Sequence, residues 1–184
     1  MPEQESERES GKVTERNSGA GGAHVSDRAM PQLDALYREV VLDHYKRPRG
    51  RKKIEHPNLC TSGFNPTCGD QVMLSLEVES DRISGLEVQC QGCSISVASS
   101  SMMAELLAGK SKEEAQRLFD TFRCMMHGQD PDPEVDLGDL EALSGVAQFP
   151  VRIKCALLAW TTMAEALRKL DAPGLKEGPH TDDV

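Results

Sequence analysis

The amino-acid sequence predicts an α+β fold in which helices pack on one face of a small antiparallel sheet. Apolar and polar residues alternate over 72–78 and again over 83–90, which is typical of a hairpin with one buried face. Apolar residues before and after this hairpin recur every three or four positions, as on one side of a helix. Because the two strands follow each other directly instead of alternating with helices, an antiparallel sheet is expected.

The first half of the chain is bounded by proline, glycine and capping residues. A helix is predicted over 33–46, and Pro48 and Gly50 end it. The next segment, 54–63, is expected to be a loop with room for a short strand. Ser94 is the expected N-cap of a second helix that ends at Gly109.

The second half is predicted to hold two more helices around an acidic loop. Ser111 and Glu114 have the spacing of a capping box, which opens a helix that stops near Gly128. A proline-broken acidic loop over 130–138 follows, and then a single turn over 140–143. Pro150 opens the last helix, with Cys155 expected in its first turn.

A length of 184 residues suits one domain, predicted here over 31–171. Residues 1–30 contain no Leu, Ile or aromatic residue, so we expect a disordered acidic tail there, and a flexible polar tail over 172–184. The net charge of −9 argues against nucleic-acid binding, and the sequence shows no apolar run long enough to span a membrane. A cytoplasmic protein is expected. Six cysteines in a reducing cytosol favour metal binding or thiol chemistry over disulfides.

The strongest chemical signal is a thiol and a carboxylate two residues apart, Cys68 and Asp70, in a turn that contains Gly69. Cys93 lies where the hairpin passes into a helix, and Cys155 lies near the start of the last helix. Three thiols and one carboxylate supply the four ligands of a tetrahedral zinc site. The sequence therefore predicts zinc at Cys68, Asp70, Cys93 and Cys155.

Other candidate residues have simpler interpretations. Cys90 forms a Cys-x-x-Cys pair with Cys93, but the strand pattern turns it towards the core. Cys60 and Cys124 stand in no motif. His44 lies on the apolar side of the first helix and is expected to be a hydrogen-bonded packing residue, whereas His127 is expected to cap a helix end.

The basic run 46–53 is the only cluster of positive charge in an acidic sequence. It is interpreted either as a solvated loop or as a docking surface for an acidic partner.

Four segments together resemble the U-type iron–sulfur assembly proteins, and more closely the SufU branch than the related IscU and NifU proteins. The resemblance covers about residues 33–170. Two departures from IscU favour SufU: Lys154 stands where IscU has a histidine, and the segment 119–145 is similar to an insertion found in SufU-like chains. The four matching segments are LYREVVLDHY (36–45), NPTCGD (65–70), GCSIS (92–96) and FPVRIKC (149–155).

The resemblance implies an IscU/SufU-like fold and zinc bound by Cys68, Asp70, Cys93 and Cys155. It implies a sulfurtransferase that accepts persulfide sulfur from a SufS-like cysteine desulfurase, stimulates that enzyme and passes sulfur to the downstream cluster-assembly machinery. Arg152 matches a family position near the metal, without an assigned role. The alternatives left open are a scaffold on which a transient iron–sulfur cluster is built, and a structural zinc module.

Cys68 is the predicted nucleophile, because it lies in a loop whereas Cys93 and Cys155 are anchored at helix starts. In the SufU family, a histidine of the desulfurase would take the place of this cysteine on zinc.

Overall fold

The computed structural model describes residues 30–171, so the two predicted tails lie outside the described residues except for Met30. Four α-helices, three strands and one 3₁₀ helix follow each other in the order α1, β1, β2, β3, α2, α3, the 3₁₀ helix and α4. Their bounds are α1 Met30–Lys46, β1 Leu59–Asn65, β2 Asp70–Glu79, β3 Arg82–Gln91, α2 Ser94–Leu107, α3 Lys112–Met126, the 3₁₀ helix Gly138–Gln148 and α4 Pro150–Asp171.

The three strands form an antiparallel sheet in the order β1-β2-β3, which confirms the predicted hairpin and fold class. Asp70 pairs with Asn65 on one side of β2, and Gln71 pairs with Gln91 on the other. Ser80 and Asp81 both have positive φ in the two-residue turn between β2 and β3, as type I′ hairpin turns require. The turn that joins β1 to β2 therefore lies at the same end of the sheet as the end of β3.

Strand β1 overlaps the segment 54–63, which the sequence predicted to be a loop with room for a short strand, and it extends two residues beyond that segment. Its inward-facing residues are Leu59, Thr61, Gly63 and Asn65. Only one of them is a large apolar residue, so the sequence shows no alternation of apolar and polar residues here. Gly63 is required because a Cβ there would lie 2.1 Å from Thr162 Oγ1 of α4. Strand β1 therefore depends on its pairing with β2 and on a close approach of α4 more than on large apolar side chains.

The helices cover one face of the sheet, as the sequence predicted. Helix α4 packs across β1 and β2, and α2 packs on β3 and on α4. Trp160 of α4 is fully buried against Phe122 of α3, with 5.4 Å between ring centroids, and its Nε1–H donates to Ser99 Oγ of α2. No helix among residues 30–171 is both long and apolar enough to cross a membrane.

Three local predictions are corrected. The N-cap of α2 is Cys93, not Ser94, and no side chain caps this helix start by a hydrogen bond. Cys155 is the sixth residue of α4 and so lies in its second turn, one turn deeper than expected. The expected single turn over 140–143 is an 11-residue 3₁₀ helix, anchored by the buried Leu140 and Leu143.

The outer edge of β3 is covered by two loops. The N–H of Val88 donates to the Gly50 carbonyl at 2.7 Å, and the N–H of Gly109 donates to the Ile83 carbonyl at 3.0 Å. Gly50 has a positive φ, and a Cβ there would lie 2.4 Å from the Ala104 Cβ. These contacts place the basic run after α1 along the sheet edge.

His44 ties α1 to α2 and to the 3₁₀ helix. It is buried, its Nδ1 lies 2.8 Å from Ser101 Oγ, and its Nε2 lies 2.9 Å from Asp139 Oδ2. The Asp139 carboxylate can only accept, so the His44 Nε2–H donates to it; in the neutral imidazole Nδ1 then accepts from the Ser101 hydroxyl, whose oxygen also accepts the Arg49 N–H. The prediction of a hydrogen-bonded packing residue is confirmed.

Candidate metal centre

Three separate parts of the chain meet at one end of the sheet. They are the turn between β1 and β2, the start of α2, and the second turn of α4. Each brings sulfur or carboxylate atoms towards the same place: Cys68 lies in the turn and Asp70 directly after it at the first position of β2, Cys93 is the N-cap of α2, and Cys155 lies in α4.

The turn is shaped by Asn65 and Gly69. The Asn65 side-chain Oδ1 accepts the Thr67 N–H at 3.1 Å, and its main-chain carbonyl accepts the Gly69 N–H at 2.8 Å. Gly69 has φ +74°, a left-handed conformation that glycine adopts without strain. The result is that Cys68 is exposed at the tip of the turn while Asp70 is buried.

Asp70 is held by the start of α2. Its Oδ1 accepts the backbone N–H of Cys93 at 3.0 Å, and its Oδ2 lies 3.7 Å from Cys93 Sγ. A Cβ on Gly92 would lie 2.4 Å from Oδ1 and 2.6 Å from Cγ of Asp70, so the carboxylate fits only beside a glycine. Asp70 therefore supplies the helix start with the hydrogen bond that no capping side chain makes.

Cys155 forms the floor of the site. It is 1% exposed, and its Sγ lies 3.0 Å from Cys68 Sγ and 3.7 Å from Asn65 Nδ2. Both cysteines are free thiols, and 3.0 Å is well beyond the roughly 2.0 Å of a disulfide bond. Burial, and then the neighbouring Cys68 thiol and Asp70 carboxyl, raise the pKa of the Cys155 thiol far above its usual value. A free thiolate at Cys155 is unfavourable without a cation beside it.

The donor set fits a zinc ion. Ligand atoms of Cys68, Asp70 and Cys155 all lie within 4.8 Å of one another. Cys93 lies outside this group of three but adjoins it, because its Sγ lies 3.7 Å from Asp70 Oδ2. A zinc tetrahedron of sulfur and oxygen ligands has edges of about 3.5–3.8 Å. The 3.0 Å between Cys68 and Cys155 must widen by less than about 1 Å to reach such an edge.

The other cysteines stay away from this cluster. Cys90 is buried, with its Sγ 3.4 Å from Ser96 Oγ, so it points into the core as predicted. Cys60 is exposed on β1 beside Ser75, and Cys124 is half-buried on α3. His127 is the C-cap of α3 and uses its backbone N–H for that purpose, which confirms its predicted place.

Asn65 is the residue of the site that sequence reasoning missed. It was part of the motif that led to Cys68 and Asp70, but only its buried contact with Cys155, 90 residues away in the chain, shows that it belongs to the centre. Its place at the first position of a Gly-containing turn was a local signal for the turn alone.

An apolar groove of about 910 Å³ adjoins the centre. It lies between α1, the start of α2, the 3₁₀ helix and the start of α4, and it reaches the centre through Ser94 and Arg152. Arg38 and Arg152 are exposed and give this groove a cationic rim. Phe149, also on its wall, is among the large apolar side chains that the described residues leave exposed.

This is a small α+β protein, with three thiols and a carboxylate gathered at one end of a three-stranded antiparallel sheet. The family model of the NifU-like N-terminal domain matches residues 36–156. The chain belongs to this family, and its U-type motifs are those that the sequence indicated.

Relatives are similar over most of their length. A zinc-dependent sulfurtransferase SufU of Bacillus subtilis is 43% identical over 137 residues, which is 74% of this chain and 92% of the relative. An iron–sulfur cluster assembly scaffold protein IscU of Streptococcus pyogenes is also 43% identical, over 77% of this chain and 88% of its own length. The crystal structure of FiSufU, a SUF-system protein of Fervidobacterium islandicum, is 35% identical with a TM-score of 0.67 and covers 72% of this chain and 97% of its own.

Proposed function

We propose that this protein takes part in iron–sulfur cluster assembly as a zinc-dependent sulfurtransferase, which accepts persulfide sulfur from a cysteine desulfurase and stimulates that enzyme. The observation that carries the proposal is the unequal placement of the thiols: Cys68 is exposed at the tip of a turn, whereas Cys155 is 1% exposed within a helix. The similarity to a zinc-dependent sulfurtransferase supports it. Free thiols at all six cysteines suit the cytosol expected from the sequence.

The residues of the centre divide into one that can move and three that are held. Zinc at this site would keep its cysteine ligands deprotonated. Asp70 is fixed by the Cys93 N–H, Cys93 by the start of α2, and Cys155 by its burial in α4. Only Cys68 can swing outwards without disturbing a packed helix.

The chemical step is a thiol–disulfide exchange at sulfur. The Cys68 thiolate attacks the terminal sulfur of the donor's persulfide, a new S–S bond forms on Cys68, and the donor's S–S bond breaks. The donor cysteine leaves as a thiolate and takes the electron pair of the broken bond, so no external oxidant or reductant is needed. Exposure of Cys68 lets a partner's persulfide reach it, and the exposed cationic Arg152 on the groove that adjoins the centre favours an anionic donor there.

A second candidate function is that of a scaffold on which an iron–sulfur cluster is assembled. The similarity to an IscU scaffold protein, at the same 43% identity, favours it. Three thiols and a carboxylate are also able to hold iron. Against it, position 154 carries an exposed lysine where the IscU pattern has a histidine, which leaves a cluster one ligand fewer.

Mapping of trapped persulfides tests the proposal. The zinc-loaded protein is mixed with a cysteine desulfurase and cysteine, alkylated, digested and examined by mass spectrometry. We expect persulfide on Cys68, none on Cys93 or Cys155, and loss of transfer in Cys68→Ala. Cys60→Ala is the matched control, because Cys60 is also an exposed thiol, on the adjoining strand β1, but lies outside the centre.

Three results would contradict the proposal. They are undiminished transfer by Cys68→Ala, wild-type persulfide on Cys93 or Cys155, and a purified protein that carries a coloured cluster and hands it to an apo-protein without taking up sulfur at Cys68. The last result would favour the scaffold.

A further inference from the structure

Asn65 connects the exposed and the buried halves of the centre. It is 5% exposed, it lies outside the proposed ligand set, and it makes contacts with both the turn of Cys68 and the helix of Cys155. A buried amide whose oxygen and nitrogen each have a hydrogen-bond partner at such a place restricts the geometry of its neighbours.

The orientation of its amide group follows from its partners. Oδ1 lies 3.1 Å from the Thr67 backbone nitrogen, which can only donate, so this atom must be the carbonyl oxygen. The amide nitrogen then faces Cys155 Sγ at 3.7 Å and donates towards the sulfur. Asn65 therefore supplies a donor to one thiol of the centre only.

Cys68 has no comparable support for its sulfur. Within residues 30–171, the only hydrogen-bond partner of Cys68 Sγ is the Cys155 thiol itself. Its backbone N–H does contact the Asn65 carbonyl, at 3.3 Å, and the Gly69 N–H does so at 2.8 Å. The base of the turn is thus fixed by Asn65 while the thiol at its tip is left free.

We propose that Asn65 is a positioning residue that selects which thiolate of the centre reacts; this inference rests on the proposed function. A hydrogen bond to a thiolate stabilises its negative charge and so makes it a weaker nucleophile. Residues that hydrogen-bond to a metal's ligands also fix the orientation of those ligands. The Asn65 amide would keep Cys155 in place as a zinc ligand. Cys68, which lacks this donor, would be the thiolate that is freed to attack.

The test compares alkylation at each cysteine in the zinc-loaded protein. Asn65→Asp keeps an acceptor for the Thr67 N–H but replaces the donor with an oxygen, and Asn65→Ser keeps a short acceptor for the turn but does not reach Cys155. Asn58→Asp is the matched control, since Asn58 Oδ1 accepts the Val78 N–H within the sheet and has no hydrogen bond to a sulfur. Each protein is treated with iodoacetamide, and the rates at Cys68 and Cys155 are measured by mass spectrometry.

In the wild type we expect Cys68 to be alkylated at least tenfold faster than Cys155. Both Asn65 variants should lower this ratio by roughly tenfold and weaken zinc in competition with a chelator by 10- to 100-fold. Asn58→Asp should leave both quantities unchanged. If Asn65 had only a structural role, its substitution would lower the stability of the protein and change both alkylation rates together. The ratio of the Cys68 rate to the Cys155 rate would then stay the same.

An unchanged ratio in either folded variant would overturn the proposal. Circular dichroism decides which variants are folded, and if Asn65→Asp is not, Asn65→Ser decides alone. Failure of both to fold would make Asn65 a folding residue and equally overturn a selecting role. The alkylation assay needs no desulfurase, so the two proposals can fail separately. A wild type that accepts no persulfide sulfur contradicts the proposed function. Persulfide on Cys68 together with an unchanged ratio of alkylation rates contradicts only the role of Asn65.

Discussion

The two oxygens of Asp70 have different tasks. Oδ1 accepts the Cys93 N–H at the start of α2, where the orphan N–H groups and the positive end of the helix dipole attract a carboxylate. Oδ2 is left to face the thiols. One carboxylate thus fixes the helix start and has one oxygen left for a metal, which suits the proposed role of a ligand that stays in place.

Gly92 is the residue that makes this arrangement possible, and Gly92→Ala tests it. The new Cβ would meet Asp70 Oδ1 at 2.4 Å, so the carboxylate or the start of α2 must shift. We expect zinc affinity to fall by 10- to 100-fold, as for the loss of other groups that orient a metal ligand. A chelator competition with a chromophoric zinc indicator measures this.

Gly145→Ala is the control for this substitution. Gly145 lies in the 3₁₀ helix, and no atom stands within 4 Å of where its Cβ would be. It should bind zinc as the wild type does. Equal zinc affinity in Gly92→Ala would show that the position of the Asp70 carboxylate does not matter for the metal.

The capping box of α3 is the clearest prediction at the scale of an element. Ser111 Oγ accepts the Glu114 N–H at 3.1 Å, and Glu114 Oε2 accepts the Ser111 N–H at 2.8 Å. Ser111→Ala should lower the free energy of unfolding by about 1 kcal/mol. In a domain of this size that is roughly 3 °C in melting temperature. The fluorescence of Trp160, the only tryptophan, follows the unfolding.

The same box predicts a dependence on pH. The Ser111 N–H that donates to the Glu114 carboxylate holds the pKa of Glu114 below its usual value. A lowered pKa in the folded state gives stability that is present above the unfolded value of about 4.3 and is lost as the pH falls through the folded value. Glu114→Gln should therefore be less stable than the wild type at pH 7, and the difference should shrink below pH 4.

Glu113→Gln is the matched control, because it removes the same charge from the same helical turn. The Glu113 side chain is not part of the capping box. Its stability relative to the wild type should not follow the course of Glu114→Gln with pH. Parallel curves for the two variants would assign the effect to the helix dipole instead of the box.

Periodic and capping signals in the sequence were enough to predict α1, α2, α3, α4 and the β2–β3 hairpin. They failed where tertiary contacts decide the local structure. Strand β1 is held by the approach of α4 to Gly63, and the 3₁₀ helix by a few buried leucines such as Leu140, so neither leaves a strong period in the sequence.

At the scale of the whole molecule, the sequence predicted the sulfur and carboxylate groups but not their environment. Thiols and carboxylates are recognisable as residue types, so Cys68, Asp70 and Cys155 could be named in advance. Asn65 and the groove beside Arg152 depend on segments that meet only in the fold. That is the physical reason why the second layer of a site is harder to predict than its ligands.

The exposed positive charge of the basic run predicts a docking surface for the proposed acidic partner. In the basic run, Arg47 and Arg49 are already paired with Asp43, whereas Lys52 and Lys53 are exposed and form no ion pair within the described residues. Arg51 reaches the Cys90 carbonyl at the end of β3, close to Cys93. Reversal of both lysines to glutamate should slow association with a desulfurase and flatten its dependence on salt.

Arg168→Glu with Lys169→Glu is the control for this charge reversal. It makes the same change in net charge in the last turn of α4, about 20 Å along the helix from Cys155. Association kinetics at several salt concentrations compare the two double variants. If both slow association equally, only the net charge matters and the basic run is not part of the interface.

The last prediction concerns zinc and the stability of the whole fold. The proposed ligands lie in or beside the β1–β2 turn, the start of α2, and α4, which are far apart in the chain. A metal there would close long loops and offset the negative charge of the thiolates. A structural zinc can contribute on the order of 10 kcal/mol to folding. Removal of zinc by a strong chelator should therefore lower the melting temperature sharply, and Cys155→Ala should lower both the zinc content and the melting temperature.

Cys60→Ala is the control, because Cys60 is an exposed cysteine outside the centre, and it should change neither quantity. Full zinc content and an unchanged melting temperature in Cys155→Ala would remove that residue from the ligand set.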